Sequence, residues 1–181
     1  MSAAGLRRLL HACTAAVLLV IPLASWTAFR VVVLVGAVVA VAFETARLSL
    51  PGFGPRVARV VPVFRASEAR RPSGAAWLGV GYGIAVWFPQ PAPVAGVLVA
   101  ALADPAASFV GARRSTLGRK TFAGSAAHFT VACGLLAVLG LGWTVVLSAA
   151  AVGAALERWS GAVDDNLLVA PGVAAVVALL A

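Results

Sequence analysis

Asp104, Ser108 and Gly111 stand at i, i+4 and i+7 in the segment Asp104-Pro-Ala-Ala-Ser108-Phe-Val-Gly111. That spacing puts a carboxylate, a hydroxyl and bare backbone on one face of a helix. The surrounding run is apolar, and a carboxylate inside it is costly unless it meets a polar cavity, a cation or a basic partner. The face reads as one wall of a hydrophilic pocket; an Asp held structurally by an arginine is the plainer alternative. A second cluster, Gly118-Arg-Lys120-Thr121-Phe-Ala-Gly124-Ser125, opens the next apolar run. Lysine, hydroxyls and small residues at a helix N-terminus suit a phosphate, because exposed N–H groups and the helix dipole favour anions. The pattern is not GxxxxGK[ST], and no strand precedes it, so it is no P-loop. A basic loop that only sets orientation would look the same.

Glu157, followed by Asp164-Asp165-Asn166 and then Pro171, forms the third cluster. Adjacent oxygen-bearing side chains suit a hard cation such as Mg²⁺, or else cap a helix. The fourth lies between Glu44 and Gly74. Glu44 and Arg47 are placed to pair at i, i+3, and Arg65, Glu68, Arg70 and Arg71 precede Gly74. A basic surface loop is usually an anionic-lipid contact, but a purely electrostatic anchor would omit Glu44 and Glu68. His11 and His128 read as packed or interfacial histidines. Cys13 and Cys133 have no metal spacing and read as small buried hydrophobes.

The elements that must position these clusters are membrane helices. The chain has 181 residues, of which 62% are hydrophobic and 11% charged. A soluble domain carries about a quarter charged residues, so lipid must cover much of this surface. The formal net charge of +8 would suggest nucleic acid in a soluble protein; with so little polar surface it suggests topology and phosphate binding, and no nucleic-acid partner. Seven apolar runs are candidates for helices: Leu9–Ser25, Val31–Phe43, Ala75–Pro89, Ala92–Gly111, Phe122–Leu141, Trp143–Leu156 and Leu167–Ala181. Several fall short of the ~20 residues needed to span and must extend into their flanks. With seven spans, thirteen of the fourteen basic residues share one side and only Arg30 falls on the other. The positive-inside rule makes that side, and the N-terminus, cytoplasmic. The first run is expected to be a retained helix and not a signal peptide. The expectation is an all-α, polytopic bundle forming a single domain over residues 1–181, in the plasma membrane with its charged face cytoplasmic.

Carboxylates for a metal, a lysine and arginines for phosphates, and a helix N-terminus on one membrane face are equipment for phosphoryl or nucleotidyl transfer to a lipid. The chain resembles the family of dolichol kinase, phytol kinase and CTP-dependent diacylglycerol kinase, from about Phe43 to Pro171. Glu44-x-x-Arg47 with Pro51, Arg65-x-x-Glu68 with Gly74, Asp104-Pro…Gly111, Lys120-Thr121-x-x-Gly124-Ser125 and Glu157…Asp164-Asp165-Asn166…Pro171 are similar to that family's motifs, in the same order. The family often has Asn near the position of Gly54.

The resemblance implies transfer of the γ-phosphoryl of CTP to a lipid hydroxyl, with Mg²⁺ or another divalent cation. It places Asp104 and Asp165 near the metal with Glu157 and Asn166 in support. Lys120 and Thr121, with Gly111, Gly124 and Ser125, would hold phosphate. Arg65, Glu68 and Arg71 would line the nucleotide or lipid-head site. Asp104 and Glu68 are both candidates for the general base. Glu44, Arg47, Ser108 and Asp164 would support the site. A membrane cytidylyltransferase making a CDP-lipid, or a non-catalytic transporter or structural subunit, are the alternatives.

Overall fold

The computed structural model describes residues 2–61, 63–113, 120–160 and 163–181. Among them the regular secondary structure is all helical, with no strand. Helix α1 (Ala3–Cys13) runs through a 3-10 segment (Thr14–Leu19) into the short α2 (Val20–Leu23). The first apolar run thus begins earlier than its hydropathy suggests and takes in Arg7 and Arg8. Ser25 belongs to the next helix, α3 (Trp26–Ser49): its hydroxyl accepts from the Ala28 amide at 3.0 Å and caps it.

The stretch from Glu44 to Gly74 is only partly loop. α3 continues to Ser49, the short α4 (Phe53–Val60) follows Gly52, and a 3-10 turn (Ala66–Arg70) precedes α5 (Gly74–Ala85). The chain can turn into α4 because Gly52 adopts φ +76°, which costs a glycine little. Then follow α6 (Ala92–Ala112), α7 (Phe122–Val138), α8 (Trp143–Trp159) and α9 (Asp165–Leu180). Three helical stretches among the described residues are long and apolar enough to cross a membrane: Ala3–Leu23, Trp26–Ser49 and Ala92–Ala112. α7 and α9 are apolar but shorter.

α6 and α9 form the spine. α9 packs against α5, α6 and α8, and α6 also packs against α7. Val97, Val99, Leu136, Val146, Val169 and Val173 are fully buried around them. The backbones come close because small residues let them: a Cβ on Gly96 would lie 2.3 Å from the Ala170 carbonyl oxygen, and one on Gly81 2.6 Å from that of Asn166. α3 is different. It rests on α5 and leaves Val31, Val35, Val38, Val39 and Val41 exposed, an apolar face far too continuous for a water-facing helix. Cys13 is exposed and Cys133 half-buried, so the pair are not both buried hydrophobes; Cys13 faces a cleft.

Because a methyl at Gly96 meets backbone and not a movable side chain, Gly96→Ala is expected to destabilise by about 1–3 kcal/mol. Gly134, inside α7 with nothing within 4 Å of its Cβ direction, should accept alanine without loss and gain about 0.5–1 kcal/mol from helix propensity. Thermal unfolding of the two detergent-solubilised variants, followed by circular dichroism, makes the comparison.

Candidate functional site

A single cleft of about 1590 Å³ brings most of the sequence-predicted residues together. α6 supplies Asp104, Ser108 and Gly111 to its wall; Lys120, Thr121 and Gly124 come from the start of α7. Glu157 comes from the end of α8, and Asp164, Asp165 and Asn166 from the start of α9. The segment before α5 contributes Arg65, Glu68, Arg71 and Gly74, with Glu44 from α3. Away from this charged end the cleft is lined by Val17, Val32, Gly36, Ala40, Phe43 and Trp77. Arg47 and Ser125 are not on the wall; they stand behind it.

Arg47 acts as a lock. Its Nη2 ion-pairs with Oε1 of Glu44 and donates to the carbonyl oxygens of Glu68 at 2.9 Å and Arg71 at 2.8 Å. Glu44 in turn accepts from the Ser73 amide at 2.8 Å and the Ser73 hydroxyl at 3.0 Å. The Phe64 ring lies 4.9 Å from the guanidinium. Glu68 closes the same segment: its Oε2 accepts from the Arg65 amide at 2.6 Å and its Oε1 from the Gly74 amide at 3.0 Å. Both oxygens of Glu68 are thus engaged by backbone. Of the two carboxylates considered as a base, Asp104 is the one whose Oδ1 has no hydrogen bond among the described residues. The side chains of Arg65 and Arg71 face the cleft with no ion-pair partner among the described residues.

α1 and the 3-10 segment that follows it, outside the family resemblance, also line the cleft with Arg7, Arg8, His11 and Thr14. His11 Nε2 lies 3.0 Å from the Ala100 carbonyl oxygen, and Thr14 shares a 2.8 Å hydrogen bond with the Tyr82 hydroxyl. Arg7 lies within electrostatic reach of Arg65 and Glu68. The sequence held the signal for this face: positions 7, 11 and 14 repeat the i, i+4, i+7 spacing of Asp104, Ser108 and Gly111.

Lys120 is a junction between helix ends. Its Nζ donates to Asp165 Oδ2 at 2.5 Å, to the Glu157 carbonyl oxygen and to the Ser160 hydroxyl at 3.3 Å, with Glu157 Oε1 at 3.6 Å. The Ser125 hydroxyl donates to Glu157 Oε2 at 3.3 Å. Thr121 caps α7 by accepting from the Gly124 amide at 3.1 Å, and a Cβ on Gly111 would lie 3.4 Å from that hydroxyl. Lys120 is therefore held by acids as well as placed for an anion. Gly118, which opens this motif, lies outside the described residues.

Asp164 caps α9: its Oδ1 accepts from the Asn166 amide at 3.1 Å and from Asn166 Nδ2 at 2.6 Å. Burial raises the Asp164 carboxyl above the ordinary aspartate range; the Asn166 hydrogen bonds oppose the rise and the Asp165 charge adds to it. With its folded pKa raised, this group favours the folded state least once pH has climbed through that raised value.

Asp104 Oδ1 faces His128 Nδ1 at 3.7 Å. Among the described residues no three His, Cys, Asp or Glu side chains gather as a metal-holding group, so Asp104, Glu157, Asp165 and Asn166 do not form a closed cage. Asp104 Oδ1 and Asn166 Oδ1 are nevertheless buried without a hydrogen-bond partner. Mg²⁺ usually takes one or two carboxylates and fills its other positions with water and substrate phosphate oxygens. The donor set fits that open mode and not an all-protein site.

No protein-family model, curated protein or solved structure matches the chain.

Removing the lock should cost more than removing a surface charge, because it strands Glu44 in a buried site. Arg47→Ala is expected to lower stability by about 3–5 kcal/mol and to speed tryptic cleavage after Arg65 and Arg70. Chemical denaturation and timed digestion of the detergent-solubilised protein read the two effects.

Proposed function

We propose that the protein is an integral membrane kinase that transfers the γ-phosphoryl of CTP to the hydroxyl of a lipid alcohol, of phytol, polyprenol, dolichol or diacylglycerol type. The carrying observation is the continuity of one cleft from a charged end, with Asp104, Lys120, Arg65 and Arg71, to an apolar end lined by α3 and the first helix. A polar headgroup and a greasy tail need both. In this reading seven helical stretches lie in the plasma membrane with the N-terminus cytoplasmic. The shorter ones reach across by tilt or local thinning, and the basic residues stay on the cytoplasmic face. The choice of CTP comes from the family resemblance alone.

The residues divide the work. Arg65 and Arg71, joined by Arg7, hold the nucleotide phosphates; guanidinium forks suit phosphate oxygens. Lys120 sits between Asp165 and Glu157, where its charge meets the incoming phosphate. Asp104 and Asp165 would hold Mg²⁺, with Glu157 and Asn166 in support, and a bound ion would supply neutralisation of phosphate charge. The apolar wall orients the tail so that the lipid hydroxyl meets Asp104. As the hydroxyl oxygen bonds to the γ-phosphorus and the bond to the β–γ bridging oxygen breaks, the hydroxyl proton passes to Oδ2 of Asp104 and CDP leaves. Positioning and charge neutralisation supply most of the acceleration in such transfers.

Membranes containing the protein, given CTP labelled on the γ-phosphate, Mg²⁺ and a panel of lipid alcohols, are expected to yield labelled lipid phosphate. Asp104→Asn should lower turnover roughly 10²–10⁴-fold. Label entering lipid from the α-phosphate would favour a cytidylyltransferase making a CDP-lipid. Undiminished function in a strain carrying Asp104→Ala with Lys120→Ala would favour a transporter or structural subunit.

A further inference from the structure

His128 lies in α7 and is fully buried. Neither of its ring nitrogens has a hydrogen-bond partner among the described residues. Leaving a buried polar group unpaired costs about 1–3 kcal/mol, and the neighbours along this part of α7, Ala132 and Leu136, show what the core ordinarily takes. The ring's Nδ1 faces Asp104 Oδ1 at 3.7 Å, and that oxygen is likewise buried and unpartnered. Two unsatisfied polar groups thus confront each other across the α6–α7 contact, at roughly half an ångström beyond hydrogen-bond range. On the opposite side α8 makes room for the ring with Gly153: a Cβ there would lie 3.1 Å from His128 Nε2. Glu157 on that same helix is within electrostatic reach of both His128 and Asp104.

The arrangement gives the two oxygens of Asp104 different surroundings. Oδ1 points into the bundle, while the side chain keeps 14% of its surface exposed on the cleft it lines. An aspartate's terminal torsion is broad and soft, and its neighbours one position and three positions along α6, Ala103 and Ala107, are small and buried. Those alanines offer no polar contact to choose the carboxylate's direction, yet a reacting group must be held within about 0.5 Å and 10–20°. We propose that His128 is a positioning residue for Asp104: its Nδ1–H donates to Oδ1 and turns Oδ2 toward the cleft. Nε2, unprotonated, lies against Gly153. The consequence for turnover rests on Asp104 being the reactive carboxylate; the histidine–aspartate pair does not.

The chain has two histidines, so histidine-selective isotope labelling of the full protein in nanodiscs gives two ring systems by nuclear magnetic resonance. His128 is expected to carry its proton on Nδ1, the nitrogen that faces Asp104. Asp104→Asn should move its Nδ1 resonance and leave that of His11 in place. A proton on Nε2, or an Nδ1 resonance indifferent to Asp104→Asn, overturns the proposal. In the kinase assay His128→Leu should lower kcat roughly 10- to 100-fold with little change in KM for the lipid alcohol, and His128→Asn, which keeps a donor, should recover most of the loss. Wild-type turnover by His128→Leu, or no recovery with a folded His128→Asn, counts against it. If no lipid alcohol is phosphorylated by the wild type, the kinase reading fails while the resonance experiment still decides the pair; it also decides if His128→Leu does not fold.

Discussion

A carboxylate that is moved from water into an apolar bundle must find a partner or lose its charge, and this chain buries or half-buries its acids at the places where helices meet. The solutions differ from site to site. Glu44 is met by Arg47 and Ser73, Glu68 by two backbone amides, and Glu157 and Asp165 by Lys120. Asp164 is met by Asn166. These answers are also the cross-links of the fold: they tie the segment before α5 to α3, and the ends of α7, α8 and α9 to one another. Asp104 stands apart: among the described residues its Oδ1 has no hydrogen-bond partner, and His128 Nδ1 faces it at 3.7 Å. The acid least satisfied by the fold still lines the cleft.

Close packing makes this possible. α6 and α9 meet with almost no side-chain volume between them at Gly96 and Ala170, which fixes the spacing between Asp104 within α6 and Asp165 at the start of α9. Glu44–Arg47 does the equivalent work on the other side of the cleft, where the loop segment would otherwise have no reason to keep Arg65 and Arg71 facing inward. Rigid backbone on one side and a hydrogen-bonded lock on the other produce one charged wall from separate stretches of chain.

Much of this was legible in the sequence. The apolar runs marked where helices lie, and the spacing of Asp104, Ser108 and Gly111 put them on one wall. The pairing of Glu44 with Arg47 followed from helical geometry. Helix bounds were less legible: α3 passes six residues beyond Phe43 because Glu44 and Arg47 satisfy each other, which hydropathy does not register. The partners of Glu68 were also hidden, since backbone amides leave no compositional trace. So was the pull of acids on Lys120, because residues thirty-seven and forty-five positions away can be brought to one point only by the packing of three helices. The contribution of α1 was overlooked for a different reason. Its polar residues repeat the spacing seen in α6, but they stand in a segment whose charge suggested only orientation.

The cleft joins a charged end to an apolar one without a barrier of side chains between them. In the proposed reaction that continuity removes a cost that a soluble enzyme would face. Lifting an alkyl chain into water costs about 0.8 kcal/mol for each CH₂, so a tail of twenty carbons would oppose its own delivery by roughly 16 kcal/mol. Here only the headgroup has to change surroundings. The water-soluble reactant comes to the lipid, and the lipid never has to leave the phase that dissolves it.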